Sequence, residues 1–156
     1  MDSLIEFYIA SFLYLRYDME PEFIQRFITS MKKKNFSYKM CSAIEYIIEN
    51  FDCNNIYVLI TSLSYIVRLR DTDISDIRMI FMSLCLASKI HNDDICNMVP
   101  TAKHLRFSRK DVILLEMTIL NLLDYKLYMS DLDCNLYFHH LRGLFPDNSP
   151  VQSIYV

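Results

Sequence analysis

Apolar positions recur at helical spacing along nearly the whole chain, and the densest stretch, Ile77 to Ile90, is apolar on almost every side. Ile77, Ile80, Phe81, Leu84 and Ala87 fall at i, i+3, i+4, i+7 and i+10 on one helical face, while Met79, Met82, Leu86 and Ile90 make a second stripe beside it. A helix that is apolar nearly all round is either a membrane span or the buried centre of a helical protein. The uncharged run between Arg78 and Lys89 is ten residues, well short of the roughly 20 that a bilayer requires. The pattern therefore predicts a buried central post over about 74 to 91, with Asp73 and Asp76 as its cap.

The flanking elements follow from the same periodicity and its stop signals. Ser3 with Glu6 forms a capping-box pattern ahead of Leu4, Ile5, Phe7, Tyr8, Ile9, Phe12 and Leu13, predicting a helix over 3–17. That helix is aromatic on several sides, so it either buries between other helices or offers part of itself to a partner. Pro21 opens a second helix with Ile24, Phe27, Ile28 and Met31 as its stripe and Lys32, Lys33 and Lys34 at its negative end. A third helix runs through Met40, Ile44, Ile47 and Ile48 to about Phe51, and the polar break from Asp52 to Asn55 supplies an N-cap for a fourth, Ile56 to about Leu69. Arg68 and Arg70 suit the last turn of that fourth helix.

Beyond the post, Ile95 to Leu105 contains Pro100 and reads as a brief or broken helix. Ser108 with Asp111 caps a long helix through Val112, Leu115, Ile119, Leu122 and Leu123. A last helix from about Ser130 to Leu144 carries Leu132, Leu136, Tyr137 and Leu141, before Gly143, Pro146 and Pro150 close the ordered part.

Composition narrows the class. The 156 residues fit one domain, which at this size buries about two-thirds of its unfolded surface. A hydrophobic fraction of 53% implies a large core, an adhesive partner surface, or both. One glycine and four prolines leave few devices for hairpins, so the fold class is all-α. A phosphate-cradling loop and a dinucleotide fingerprint each need several glycines, and only Gly143 exists, so no nucleotide cofactor is expected. A net charge of −3 gives no basic footprint for nucleic acid, and the lysine run at 32–34 reads as a solvated helix end.

Five cysteines without any C-x-x-C spacing fit reduced, buried thiols in an intracellular protein, with no disulfides. Asp2 and Glu6 stand where a secretory signal would be positive, so a cytoplasmic or nuclear location and no membrane partner are expected. His139 and His140 are adjacent and would point about 100° apart on a helix. His91, Cys96 and His104 lack zinc-site regularity, so no metal site is expected. Serine, histidine and aspartate form no recognisable catalytic arrangement, and no enzymatic activity is expected.

One pair of residues stands apart. Lys89 is the only charge between Arg78 and Asp93, and Glu116 is the only charge between Asp111 and Asp124. A buried ion must be paired and hydrogen-bonded or it costs several kcal/mol. On periodicity alone, Lys89 snorkels to water from a helix end and Glu116 is simply exposed.

The run I-R-M-I-F-M-S-L-C-L-A-S-K, followed about a helix later by L-L-E-M-T-I-L-N-L-L-D-Y-K-L, resembles helices three and five of the cyclin box, with the single-box, Pho80-like group the most similar. Y-V-L-I-T-S-L-S-Y-I-V-R-L resembles the second helix of the box, and Tyr38 to Phe51 its first. The resemblance implies a single cyclin-like domain: N-terminal helices in 1–36, a five-helix box around a central buried helix in 37–127, and a C-terminal helix and tail in 128–156. It further implies a regulatory subunit that binds and activates a cyclin-dependent-kinase-like catalytic chain. In that family the lysine and glutamate matching Lys89 and Glu116 pair with each other and hydrogen-bond the kinase backbone beside its C helix. Ile90, Leu120, Tyr125 and Leu127 match the surrounding apolar kinase contacts, and the N-terminal aromatic helix could extend them.

The chain departs from the family pattern in two respects: Val67 replaces an aspartate common before the arginine of the second helix, and the M-R-A-I-L run of mitotic cyclins is missing. A single box is what the resemblance to the Pho80-like group implies. Two other uses of such a fold stand beside the kinase reading. A cyclin-fold transcription factor would need a basic face for DNA, which a mildly acidic chain lacks. A helical adaptor would act by protein–protein interaction through its apolar surface alone.

Overall fold

With a single glycine available for sharp turns, backbone hydrogen bonds are satisfied most readily within helices. A computed structural model of the chain describes residues 3–33, 39–50, 55–91 and 98–145, and every regular element among them is helical. The elements are α1 (Ser3–Tyr17), α2 (Pro21–Lys33), α3 (Lys39–Asn50), α4 (Ile56–Leu69), α5 (Asp76–His91), α6 (Met98–His104), α7 (Arg109–Leu122) and α8 (Asp131–Gly143). The bounds of α1 and α4 coincide with those expected from apolar periodicity. Most of the break expected from Asp52 to Asn55, together with Lys34, Cys96, Pro146 and Pro150, lies outside the described residues.

Local side-chain chemistry sets several helix starts. Asn55 accepts the Tyr57 N–H at 2.9 Å through its side chain, and Ser130 accepts the Asp133 N–H at 3.1 Å. At α7, Ser108 and Asp111 each accept the other's backbone N–H at 3.1 Å, the reciprocal box that the S-x-x-D spacing predicts. Pro100 sits in the first turn of α6, where its missing N–H costs no helical bond. The side chain of Ser3 is outside the described residues, so its expected box with Glu6 is not seen; Glu6 itself is buried.

The post starts later than the expected position 74. The Ile74 carbonyl accepts a bond from Arg16 at 3.1 Å, and the first helical bond of α5 runs from the Met79 N–H to the Ser75 carbonyl at 2.9 Å. Asp76, expected to help cap its own helix, turns its carboxylate toward α1. It accepts from the Tyr17 hydroxyl and lies 3.7 Å from Arg16 Nε.

Packing buries α5 along most of its length. Every residue from Met79 to Ser88 is buried, whichever way its side chain points. Residues 5–13 of α1 are also buried without a break. Of the two alternatives for this aromatic helix, burial between other helices describes residues 5–13, whose rings form core. Phe7 meets Phe138 of α8 edge-on with centroids 5.3 Å apart, and the Tyr8 hydroxyl shares a hydrogen bond with Ser62 of α4 at 2.6 Å. The α4–α5 contact is the most extensive, and α1, α4, α5 and α3 each touch the next to close a four-helix ring. Helices α2, α6, α7 and α8 pack on its outside.

Arg16 joins the ring at one corner. Its guanidinium donates to four carbonyls, Leu69 at 3.1 Å, Arg70 at 2.9 Å, Thr72 at 3.1 Å and Ile74 at 3.1 Å, all in the last turn of α4 and the connection to α5. Carbonyls at a helix C-terminus have no intrahelical donor, and a side chain only 10% exposed supplies them here.

Several helix ends reverse through left-handed backbone without glycine. Asp18 (φ 53°), Arg106 (φ 62°), Asp124 (φ 53°) and Tyr125 (φ 56°) take positive φ, while Gly143 does not. The Phe107 N–H reaches back to the Ala102 carbonyl at 2.8 Å and the Tyr125 N–H to the Leu120 carbonyl at 3.0 Å, bonds that close helix C-termini in this way.

Replacing Arg16 by Ala removes every one of these donors and is expected to cost about 3 kcal/mol of stability. Arg16→Lys, with one compact head group, should recover less than half of that loss. Urea unfolding midpoints at unchanged m value check both. Ser83 Oγ is buried with no hydrogen-bond partner, so Ser83→Ala should leave stability unchanged or raise it by about 1 kcal/mol in the same assay.

Candidate functional site

The last turn of α5 reaches the surface: Ser88 is buried, whereas Lys89 and Ile90 are exposed. That turn is fixed from behind. His91 Nε2 and Thr61 Oγ1 of α4 share a hydrogen bond at 2.7 Å, and the same hydroxyl lies 3.5 Å from the Cys134 Sγ of α8. Burial lowers the His91 pKa below its usual 6.5, against a smaller raising effect from Asp131.

Helix α7 packs on α5 through Val112, Leu115 and Ile119, which are its buried residues. This places Glu116 beside the end of α5. Lys89 Nζ stands 3.4 Å from Glu116 Oε1. The two solitary charges therefore meet each other, and the periodicity-only reading of independent, solvated ions is corrected.

This pair contributes little to stability. The lysine side chain is 42% exposed and the glutamate 29%, and ion pairs at such exposure contribute about 0–1 kcal/mol. A separation of 3.4 Å is longer than the roughly 2.7–2.9 Å of a strong charge-assisted bond. Lysine has three donors and a carboxylate about four acceptor positions, so both groups keep capacity for further partners. Side by side they offer a donor and an acceptor together, which suits main-chain groups at the end of another helix.

The apolar candidates lie around the two helix ends. Ile90 follows Lys89 and is 40% exposed. Leu120, one turn beyond Glu116 on α7, is half-buried, as is Leu127, and both pack on the core. Tyr125 is 64% exposed and sits in the left-handed turn that ends α7.

Two α4 side chains that the sequence reading did not assign to a site hold that turn. Tyr65 donates its hydroxyl to the Leu127 carbonyl at 2.5 Å. Arg68 donates to the Lys126 carbonyl at 2.6 Å and to the Leu123 carbonyl. The guanidinium of Arg68 thus serves backbone acceptors. Burial raises the Tyr65 pKa far above its usual value of 10.0, outweighing the lowering influence of Arg68, so the phenol stays a donor. Arg68 is the lone charge of α4, the same signal that singled out Lys89 and Glu116.

Among the described residues no group of three or more His, Cys, Asp or Glu side chains could hold a metal ion. No helix among them is long and apolar enough to cross a membrane. Cys41, Cys85 and Cys134 are buried free thiols, and burial, with Glu45 adding to it, pushes Cys41 up to about 11. No family model, curated protein or solved structure matches this chain.

Because the folded state disfavours protonated His91, the unfolded chain takes up its proton first as pH falls through 6.5. The contribution is full above that pH and is lost below it. His91→Gln keeps a partner for Thr61 without a titrating group, so its melting temperature should fall less than that of the parent chain between neutral and mildly acidic pH. Parallel thermal melts across that range check it.

Proposed function

We propose that this chain is a cyclin-like regulatory subunit that binds and activates a cyclin-dependent-kinase-like protein kinase, with no catalysis of its own. The observation that carries the reading is the loose, surface-facing Lys89–Glu116 pair at 3.4 Å, formed by the two residues on which the cyclin-box resemblance converges. The arrangement of the chain agrees with it. Five helices, α3 to α7, occupy the stretch that the resemblance covers, and the third of them, α5, is buried almost throughout.

In this reading Lys89 and Glu116 satisfy main-chain groups beside the kinase C helix, while Ile90, Leu120, Tyr125 and Leu127 supply apolar contact around them. Apolar anchors around a satisfied polar pair are typical of interface hot spots. Activation is a population shift: binding favours the C-helix orientation in which the kinase's own Lys–Glu pair forms. Tyr65 and Arg68 act as positioning residues for the Tyr125–Leu127 turn.

A second reading, a helical adaptor acting through protein–protein contact alone, draws on a different observation. Leu114, Met117 and Leu122 of α7 and Leu132 and Leu136 of α8 are each more than half exposed. An adaptor of that kind would tolerate loss of the Lys89–Glu116 pair.

Affinity capture from the native cell, followed by identification of any co-purifying kinase and a phosphorylation assay on the eluate, tests the assignment. The double change Lys89→Ala with Glu116→Ala should weaken kinase association about a hundredfold while leaving the melting temperature nearly unchanged, since an exposed pair contributes little to stability. A double variant that still activates a co-purified kinase would overturn the cyclin-like reading.

A further inference from the structure

The segment from Lys103 to Lys110, K-H-L-R-F-S-R-K, joins α6 to α7 and holds Lys103, Arg106, Arg109 and Lys110 with no acidic residue among them. In a chain of net charge −3 this is a local excess of positive charge. All four side chains are exposed, and none is within ion-pair distance of a described carboxylate. Arg109 and Lys110 stand in the first turn of α7, at the positive end of its dipole, where cations are disfavoured and carboxylates are favoured. Asp111 is the one acidic group in that turn, and its carboxylate already accepts the Ser108 N–H.

Beside this positive edge lies an apolar groove of about 490 Å³ between α6 and α7. Val99, Ala102, Val112 and Ile113 line it, Lys103 and Arg109 stand among its polar residues, and Glu116 also lines it. Val99 is 65% exposed and Ile113 49%, so the groove presents apolar surface to solvent. The carboxylate of Glu116 faces Lys89, which offsets its negative charge.

We infer that the α6–α7 groove docks an acidic, amphipathic helical segment of another protein, its apolar side chains entering between Val99 and Ile113 and its carboxylates meeting Lys103 and Arg109. An apolar helix face in a groove is a recurrent mode of peptide recognition, and the basic edge selects the sign of its polar face. Nucleic acid fits less well, because the groove lining is predominantly apolar and an acidic residue lies within it. The inference does not depend on the kinase reading. The groove shares Glu116 with the residues assigned to kinase contact, but Lys103, Arg109 and Ile113, which the test alters, are outside that set, so the two readings are tested separately.

The test is selection of a phage-displayed library of helical peptides on the full chain, followed by fluorescence anisotropy with the recovered peptides. The expected ligands are rich in Asp and Glu, with apolar residues at i, i+3, i+4 and i+7. Lys103→Glu with Arg109→Glu should weaken them about tenfold or more, as should Ile113→Glu, both exposed substitutions whose fold is verified by circular dichroism. Added salt should weaken binding to the parent chain. No enrichment, enrichment of neutral or basic peptides, or equal affinity for the parent and the charge-reversed chain would each overturn the proposal. So would recovery of no peptide together with tight binding of a single-stranded oligonucleotide that the charge reversal abolishes.

Discussion

The structure depends on one guanidinium. Arg16 leaves the end of α1, reaches under the corner between α4 and α5, and ties down four carbonyls of the chain where it turns. Without donors there, the corner would bury or strand its carbonyls at a cost of about 1–3 kcal/mol for each that found no water. With Arg16 in place, the end of α4, the start of α5 and the end of α1 become one unit, extended by Asp76 and Tyr17. The direction in which α5 leaves that corner then determines where its far end emerges, and that end carries Lys89. A residue near one end of the ring therefore helps to place a residue at the opposite end of the central helix.

Four charges on the apolar helices divide by burial. Arg16 is 10% exposed and bonded to backbone and to Asp76, so its task is internal. Arg68 is exposed but directed at the carbonyls that end α7. Lys89 and Glu116 are 42% and 29% exposed and hold each other at a distance that leaves both incompletely engaged. A charge on an apolar helix raises a question of satisfaction, and for Arg16 and Arg68 the chain answers it chiefly with its own backbone. Only the Lys89–Glu116 pair is answered in a way that leaves room for an external group.

Much of the fold was legible because periodicity and capping are local. The limits of α4 required only an apolar run between Asn55 and Arg70, and the start of α7 required only Ser108 three residues before Asp111. The later start of α5 was not legible, because a long-range bond from Arg16 to Ile74 decides it. The fate of α1 was not legible either: a helix apolar on all sides looks the same whether other helices or a partner cover it. For the candidate site, the isolation of Lys89 and Glu116 could be read from the chain, but their meeting could not, since it depends on how α7 lies across α5. The basic stretch at Lys103 to Lys110 is not a run of adjacent cations, because histidine, leucine, phenylalanine and serine interrupt it, and it is visible only as charge summed over a window.

Helix α7 has a further property that follows from how it ends. It closes at Tyr125, a bulky residue in left-handed backbone that costs about 1–2 kcal/mol relative to glycine, and it buries only Val112, Leu115 and Ile119. A helix with a strained C-terminus and a thin buried stripe opens at lower free energy than the ring that supports it. Any partner that grips Glu116 then acts as a ligand for the closed form of α7, and its binding free energy adds to the local stability of that helix. Occupancy would be recorded in the amide exchange of α7, while the deeply buried α1 and α5 would exchange as slowly as before.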